Sequence, residues 1–405
     1  MTTSTASPAP SQVSRITSID VIRGAIMVLM AIDHVRVYSG LPAGGPTAGI
    51  FFTRWVTHFC APGFIFLAGT SAFLSSRRHP DISRHLLIRG AWLVLLELTV
   101  LRLAWTFNFD FVHYEMAGVI WCIGWCMIVL GLLVRLPLRA VVGFGVVIVV
   151  GASLLDPIFG KVIQAAGASA WSGLWKILYV GFFAGPIRLG PGGPNLIVLY
   201  SIVPWVGVMA LGYGFGALLM LEPARRNRLC WQIGFAATAL FLVLRGFNLW
   251  GDPSHWHAPQ PSANGRPQLP ALFSFLNANK YPASLSFQLM TLGPTITAIP
   301  MLDGLQRLVS RWLTVFGRVP FFYYMIHIPL IHALAVIVSA IRESHVNPWL
   351  FTNHPMGNPA PPDGYTWPLW LLYVVWAVAI FILYFASRWF GDLKARRTDW
   401  WLRYL

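Results

Sequence analysis

Arg23 and His34 stand eleven residues apart in the stretch 15–40, RITSIDVIRGAIMVLMAIDHVRVYSG. At 3.6 residues per turn this is about three turns, so both side chains share one helix face, about 16 Å apart along the axis. Asp20 lies one turn before Arg23. An imidazole titrates near neutrality and suits a general base that takes a proton from a hydroxyl or amine. A rigid guanidinium fork suits a phosphate or an amide carbonyl, and it equally suits Asp20 as a partner. Asp33 sits beside His34 but on a different face. The stretch is apolar enough to cross a bilayer, where each charge costs about 2.5–3.5 kcal/mol on insertion scales. Charged residues persist there when they have a partner or a task.

Further candidates lie in other apolar runs. Arg54 and His58 are one turn apart in RWVTHFCAPGFIFLAGTS, at the depth of His34, where they contact substrate or simply form a polar helix end. In FGRVPFFYYMIHIPLIHALAV, His327 follows Tyr323 and Tyr324 by one turn, and His332 lies on another face. Each reads as a pocket group or as a satisfied core histidine. Glu97, Arg102 and Arg245 fit a site or an internal ion-pair network. HWH at 255–257 has too few companions for a zinc site. Cys60, Cys122, Cys126 and Cys230 read as packing residues in apolar runs, so neither a disulfide nor a metal is expected.

The elements that must position these groups follow from composition. The chain has 405 residues, 56% hydrophobic and only 11% charged, which excludes an ordinary soluble domain. The expected fold class is an all-α polytopic membrane helix bundle of about 10 transmembrane helices, or eleven if 156–195 crosses. The spans expected are about 16–38, 51–75, 87–107, 117–134, 139–155, 197–220, 230–250, 284–302, 319–341 and 367–388, with 156–195 as an interfacial or re-entrant piece. Gly212, Gly214 and Gly216 permit close helix approach. Residues 1–14 read as a disordered tail, 15–390 as one membrane domain and 391–405 as a basic, aromatic cytoplasmic tail.

A net charge of +15 could suggest nucleic acid, but the basic residues cluster in short loops at 77–89, 135–139, 225–228 and 307–318 and in the tail. By the positive-inside rule that side is cytoplasmic, in a cell inner (plasma) membrane with both termini inside. Membrane lipids are expected partners and nucleic acid is not. Of 11 histidines, only His79 and His85 fall in a cytoplasmic loop. That skew puts the chemistry toward the outer side.

Six stretches carry a resemblance: SIDVIRGAIMVLMAIDH, THFCAPGFIFLAGTSAFL, GVIWCIGWCMIVLG, LYSIVPWVGVMALGYGFG, KYPASLSFQLMTLGP and FGRVPFFYYMIHIPLIH. In this order from 18 to 332 they resemble the bacterial branch of the heparan-alpha-glucosaminide N-acetyltransferase family. The spacing of Arg23 and His34 is similar to the signature of acyltransferase-3 type enzymes. The resemblance implies a multi-helix acyltransferase. It would move an acetyl or other acyl group from cytoplasmic acetyl-CoA or another acyl-CoA to a sugar or other envelope acceptor outside. It implies His34 as the acceptor-activating or acyl-handling residue and Arg23 as an aid to binding the carrier or an intermediate. Asp33, Arg54, His58, His327 and His332 are the further candidates for substrate contact, and no metal is expected. Asp33 stands at the position of a family Asn. The alternative is a transporter or flippase without covalent chemistry, since intramembrane charges and broken helices occur there too. The sequence leaves room for a homo-oligomer.

Overall fold

The computed structural model describes residues 16–45, 47–166, 170–258, 270–303, 307–356, 359–397, 399 and 402, with side chains omitted at 155–166, 170, 307, 308 and 356. The expected tail 1–14 lies outside the described residues. Among the described residues the long helices are α1 (Thr17–Ser39), α2 (Ala48–Ser76), α3 (82–106), α4 (Val119–Leu133), α5 (Leu138–Ala166), α6 (Ile202–Leu219), α7 (Pro223–Gly246), α8 (Leu285–Asp303), α9 (Arg307–Gly317), α10 (Pro320–Glu343) and α11 (Leu369–Arg396). Six are long and apolar enough to cross a bilayer: α2, α6, α7, α8, α10 and α11. Of the other four expected spans, α1 and α3 carry charges along their length. The helix α4 has only 15 residues, and the described side chains of α5 stop at Leu154.

Helix α1 is the central strut. Fifteen of its 23 residues are buried, and it touches α2, α8, α9, α10 and α11. Its polar face therefore turns into protein rather than lipid, where partners are available. The most apolar stretch of α6 is 72% buried, while those of α7 and α11 are 22% and 28% buried. The last two present Phe235, Leu240, Trp370 and Phe381 outward, as lipid-facing helices do.

The α2–α6 crossing depends on glycine. A Cβ at Gly69 would run into the carbonyl of Met209, and one at Gly212 into the carbonyl of Phe66. Thr70 Oγ1 donates to the Gly212 carbonyl across the same contact at 3.0 Å. Gly214 and Gly216 admit Val142 and Phe73 in the same way, as expected for close approach. Gly69→Val opposes backbone, which cannot rotate aside. It should destabilise the fold by about 1–3 kcal/mol, read as a lower melting temperature of the purified protein; an unchanged melt would mean that α2 and α6 do not pack this closely.

Several expectations need correction. The basic stretch 307–318 is not a loop: most of it forms α9, with Thr314 and Phe316 buried and Arg311 and Trp312 exposed. Its apolar residues recur at helical spacing, which charge counting does not register. It lies against α1, with Gly24 facing the Leu313 carbonyl. Helix α5 runs to Ala166, past the expected end at 155. Between 170 and 198 the chain breaks into pieces of at most six residues. The fold is mostly helical but not purely so. Strands β1 (Glu115–Ala117), β2 (Ile187–Arg188) and β3 (Asn195–Val198) form a small sheet of order β1-β3-β2, parallel between β1 and β3 and antiparallel between β3 and β2. Helix α11 absorbs 391–396, so the start of the expected tail continues the last helix.

Candidate functional site

Two cavities open along α1, one at each end of the face that carries Arg23 and His34. The one at the His34 end, named the outer cavity after the orientation expected from the basic loops, has about 560 Å³ and is lined by Asp33, His34, Arg36, Arg54, Glu97, Trp105, Tyr200, Lys280, Tyr281, Tyr324 and His354, among others. The inner one, of about 310 Å³, is lined by Arg23, Ser71, Ser75, His85, Arg89 and apolar side chains. Val119 and Tyr324 line both, so the two chambers share a wall built from α10 and the start of α4.

His34 meets the outer cavity, and its Nδ1 lies 2.6 Å from Nε2 of His327. His327 is fully buried, with its own Nδ1 2.7 Å from the Tyr324 carbonyl and 3.2 Å from that of Tyr323. These partners assign the tautomers. A carbonyl only accepts, so His327 Nδ1 carries the hydrogen. In the neutral ring its Nε2 is then an acceptor, and His34 Nδ1 must donate to it. Among the described residues nothing bonds His34 Nε2, so its lone pair is left free. Trp105 holds the ring from the side, with centroids 4.8 Å apart and planes at 75°. The arrangement is an oriented imidazole base on a cavity wall, backed by a second imidazole and a main-chain carbonyl.

Asp33 does not orient His34. Its Oδ1 accepts from Arg36 Nε at 2.8 Å and its Oδ2 from Arg54 at 3.0 Å, so it ties α1 to α2. Arg54 thus stands at the depth expected for it. His58 does not line the cavity. Residues 56–59 form a 3-10 turn, which advances each side chain further around the axis than an α-helix does. His58 packs edge-on against Phe287 instead. His332 also stays out, stacked between Phe107 and Tyr38 with Nδ1 3.3 Å from the Ala104 carbonyl.

Arg23 both pairs and faces a cavity. It donates to Asp20 at 3.3 Å, to the Gly317 carbonyl at 3.2 Å and to Ser71 Oγ at 2.8 Å. Glu97, Arg102 and Arg245 form no network with one another. Glu97 sits in a π-helical turn of α3 and accepts from the backbone N–H of Ile120, so it caps α4 from outside. A negative group is favoured at that helix end. Arg102 holds the carbonyls of Asn108, Asp110 and Tyr114. Arg245 holds those of Ser254, Ser274, Phe275 and Asn277 and lies 3.5 Å from Asp252. Asp252 faces Arg245 and its own loop rather than His255 or His257. Among the described residues no group of three or more His, Cys, Asp and Glu side chains could hold a metal.

Lys280, Tyr281, Tyr200 and Trp105 line the cavity without having been singled out from sequence. Lys280 left a faint signal: a lone lysine between a polar outer loop and an apolar run.

Residues 15–248 match the family model described as heparan-alpha-glucosaminide N-acetyltransferase, catalytic. The match includes Arg23, Asp33, His34, Arg54, His58 and Glu97 and ends before Lys280, His327 and His332. No curated protein matches the chain.

Proposed function

The chain belongs to the heparan-alpha-glucosaminide N-acetyltransferase catalytic family, and from that premise we propose that it moves an acetyl or related acyl group from acyl-CoA in the inner cavity to an acceptor in the outer one. The observation that carries this reading is the His34–His327 pair, with a free Nε2 lone pair on a cavity that shares a wall with a second, arginine-lined cavity. Ten spans with both termini cytoplasmic would put the inner cavity within reach of a cytoplasmic donor. They would put the outer one toward the envelope, where a sugar is a fitting acceptor.

The chemistry needs one base and no metal. An acceptor amine or hydroxyl attacks the thioester carbonyl while His34 Nε2 takes its proton. A C–N or C–O bond forms, the C–S bond breaks, and the proton passes from imidazolium to the leaving thiolate. His327 stabilises the imidazolium by accepting from His34 Nδ1 and holds the ring in position. Arg23 and Arg89 supply positive charge for the donor's phosphates or amide carbonyls. Both cavities being open at the ends of one helix face also suits a transporter, so product formation is the deciding observable.

The test uses purified protein and labelled acetyl-CoA. Saturable binding and label transfer to an amine or sugar acceptor are expected. Arg23→Gln should raise the KM for acetyl-CoA about tenfold, the loss of charge-assisted hydrogen bonds, with a smaller effect on kcat. A folded protein that binds no acetyl-CoA, or that carries a solute across a liposome membrane without acylating it, would overturn the proposal.

A further inference from the structure

Lys280 is buried in the wall of the outer cavity, 8% exposed, on the turn that leads into α8. It is not a mobile surface lysine. Asp252 accepts from the backbone of Asn279 at 3.0 Å and from Ser284 Oγ at 2.9 Å, and so pins both ends of the turn. Arg245 clamps the preceding carbonyls.

Charge in this cavity does not balance. The cations on its wall are Arg36, Arg54 and Lys280, and the carboxyl groups are Asp33 and Glu97. One positive charge is in excess even with both carboxyls ionised. Asp33 gives one oxygen to each arginine, and Glu97 faces the N-terminus of α4. Among the described residues, no carboxylate lies within ion-pair distance of Lys280. Its neighbours are two tyrosines: it hydrogen-bonds to the Tyr281 side chain, a neutral partner, and the rings of Tyr200 and Tyr281 lie 5.5 and 5.2 Å from Nζ to the centroids. Burial pulls the ammonium below its usual range and Arg54 adds to this, opposed by Tyr281 and Asp33. An ammonium buried without an anion is costly, and an anionic ligand removes the cost.

We propose that Lys280 selects an acceptor carrying an anionic group (phosphate, sulfate or carboxylate) next to the amine or hydroxyl that His34 deprotonates. This rests on the acyl-transfer reading of the same cavity. Lys280 lies beyond the segment 15–248 that matches the family, so the feature is argued from this chain's own loop.

The experiment compares glucosamine with glucosamine 6-phosphate at saturating acetyl-CoA. The phosphorylated acceptor should have the higher kcat/KM, by about tenfold for one charge-assisted contact. Lys280→Gln should erase that preference through KM, and Lys280→Arg should restore most of it. A second arm needs no catalysis: N-acetylglucosamine 6-phosphate should raise the melting temperature of wild type and much less that of Lys280→Gln. Equal use of both acceptors by wild type, or a preference that survives Lys280→Gln, would overturn the proposal. If neither acceptor is acylated, the acyl-transfer reading fails, and the melting arm alone then decides whether Lys280 binds the anion.

Discussion

His34→Ala is expected to lower kcat for acetyl transfer by about 10²–10⁴-fold, the usual contribution of a positioned acid–base group. The Nε2 lone pair of His34 faces the outer cavity and, among the described residues, is left uncommitted by the hydrogen bonds behind it. His327 cannot substitute, because it is fully buried and its Nδ1–H is held by the Tyr324 carbonyl. The alanine variant also removes the donor to a buried His327 nitrogen, which costs about 1–3 kcal/mol of stability. His34→Asn separates the two effects. Its amide N–H takes the place of Nδ1–H and can still reach His327, but it has no basic nitrogen for the acceptor. The asparagine variant should therefore melt near wild type, bind labelled acetyl-CoA and transfer almost no label. Transfer at the wild-type rate by His34→Asn would remove His34 from the mechanism.

Asp33→Ala should be the most destabilising change at the site, by about 3–5 kcal/mol, because it removes one partner of a buried ionic cluster. Arg36 and Arg54 converge on this carboxylate from two helices, with side chains only 12% and 13% exposed. Without it, two guanidiniums face each other across a cavity wall that already holds Lys280. The measurement is thermal unfolding of the purified protein at fixed detergent or lipid composition. Asp33→Ala should melt far below wild type, and Arg54→Met added to it should recover part of the loss by removing one of the stranded charges. Equal melting of Asp33→Ala and wild type would mean that the carboxylate does not bridge α1 and α2 in the membrane.

The sheet of β1, β2 and β3 shows what pattern reading passes over. Its strands are two to four residues long, and β1 pairs with β3 across two long helices and a broken stretch. Runs that short carry no period. His58 shows a different limit: a single 3-10 turn rotated it away from the face that α-helical spacing assigns. The amphipathic α9 was readable in principle, since its spacing is helical, but its arginines gave a loop-like charge signal.

Periodicity and composition are local properties, and they were enough for the helical membrane character, for the shared face of Arg23 and His34 on α1, and for the glycines that let α2 and α6 touch. They were also enough to pair Arg23 with Asp20, three residues away. What they could not supply were contacts between helices distant in the chain. His34 and His327 are 293 residues apart, Asp33 and Arg54 sit on different helices, and Lys280 reaches the cavity from a loop held by Asp252 and Arg245. Each such contact depends on how the helices pack, which sums many small apolar terms spread over the whole bundle. The candidate base could thus be proposed from one helix, whereas its orienting partner and the charge of its cavity came from packing.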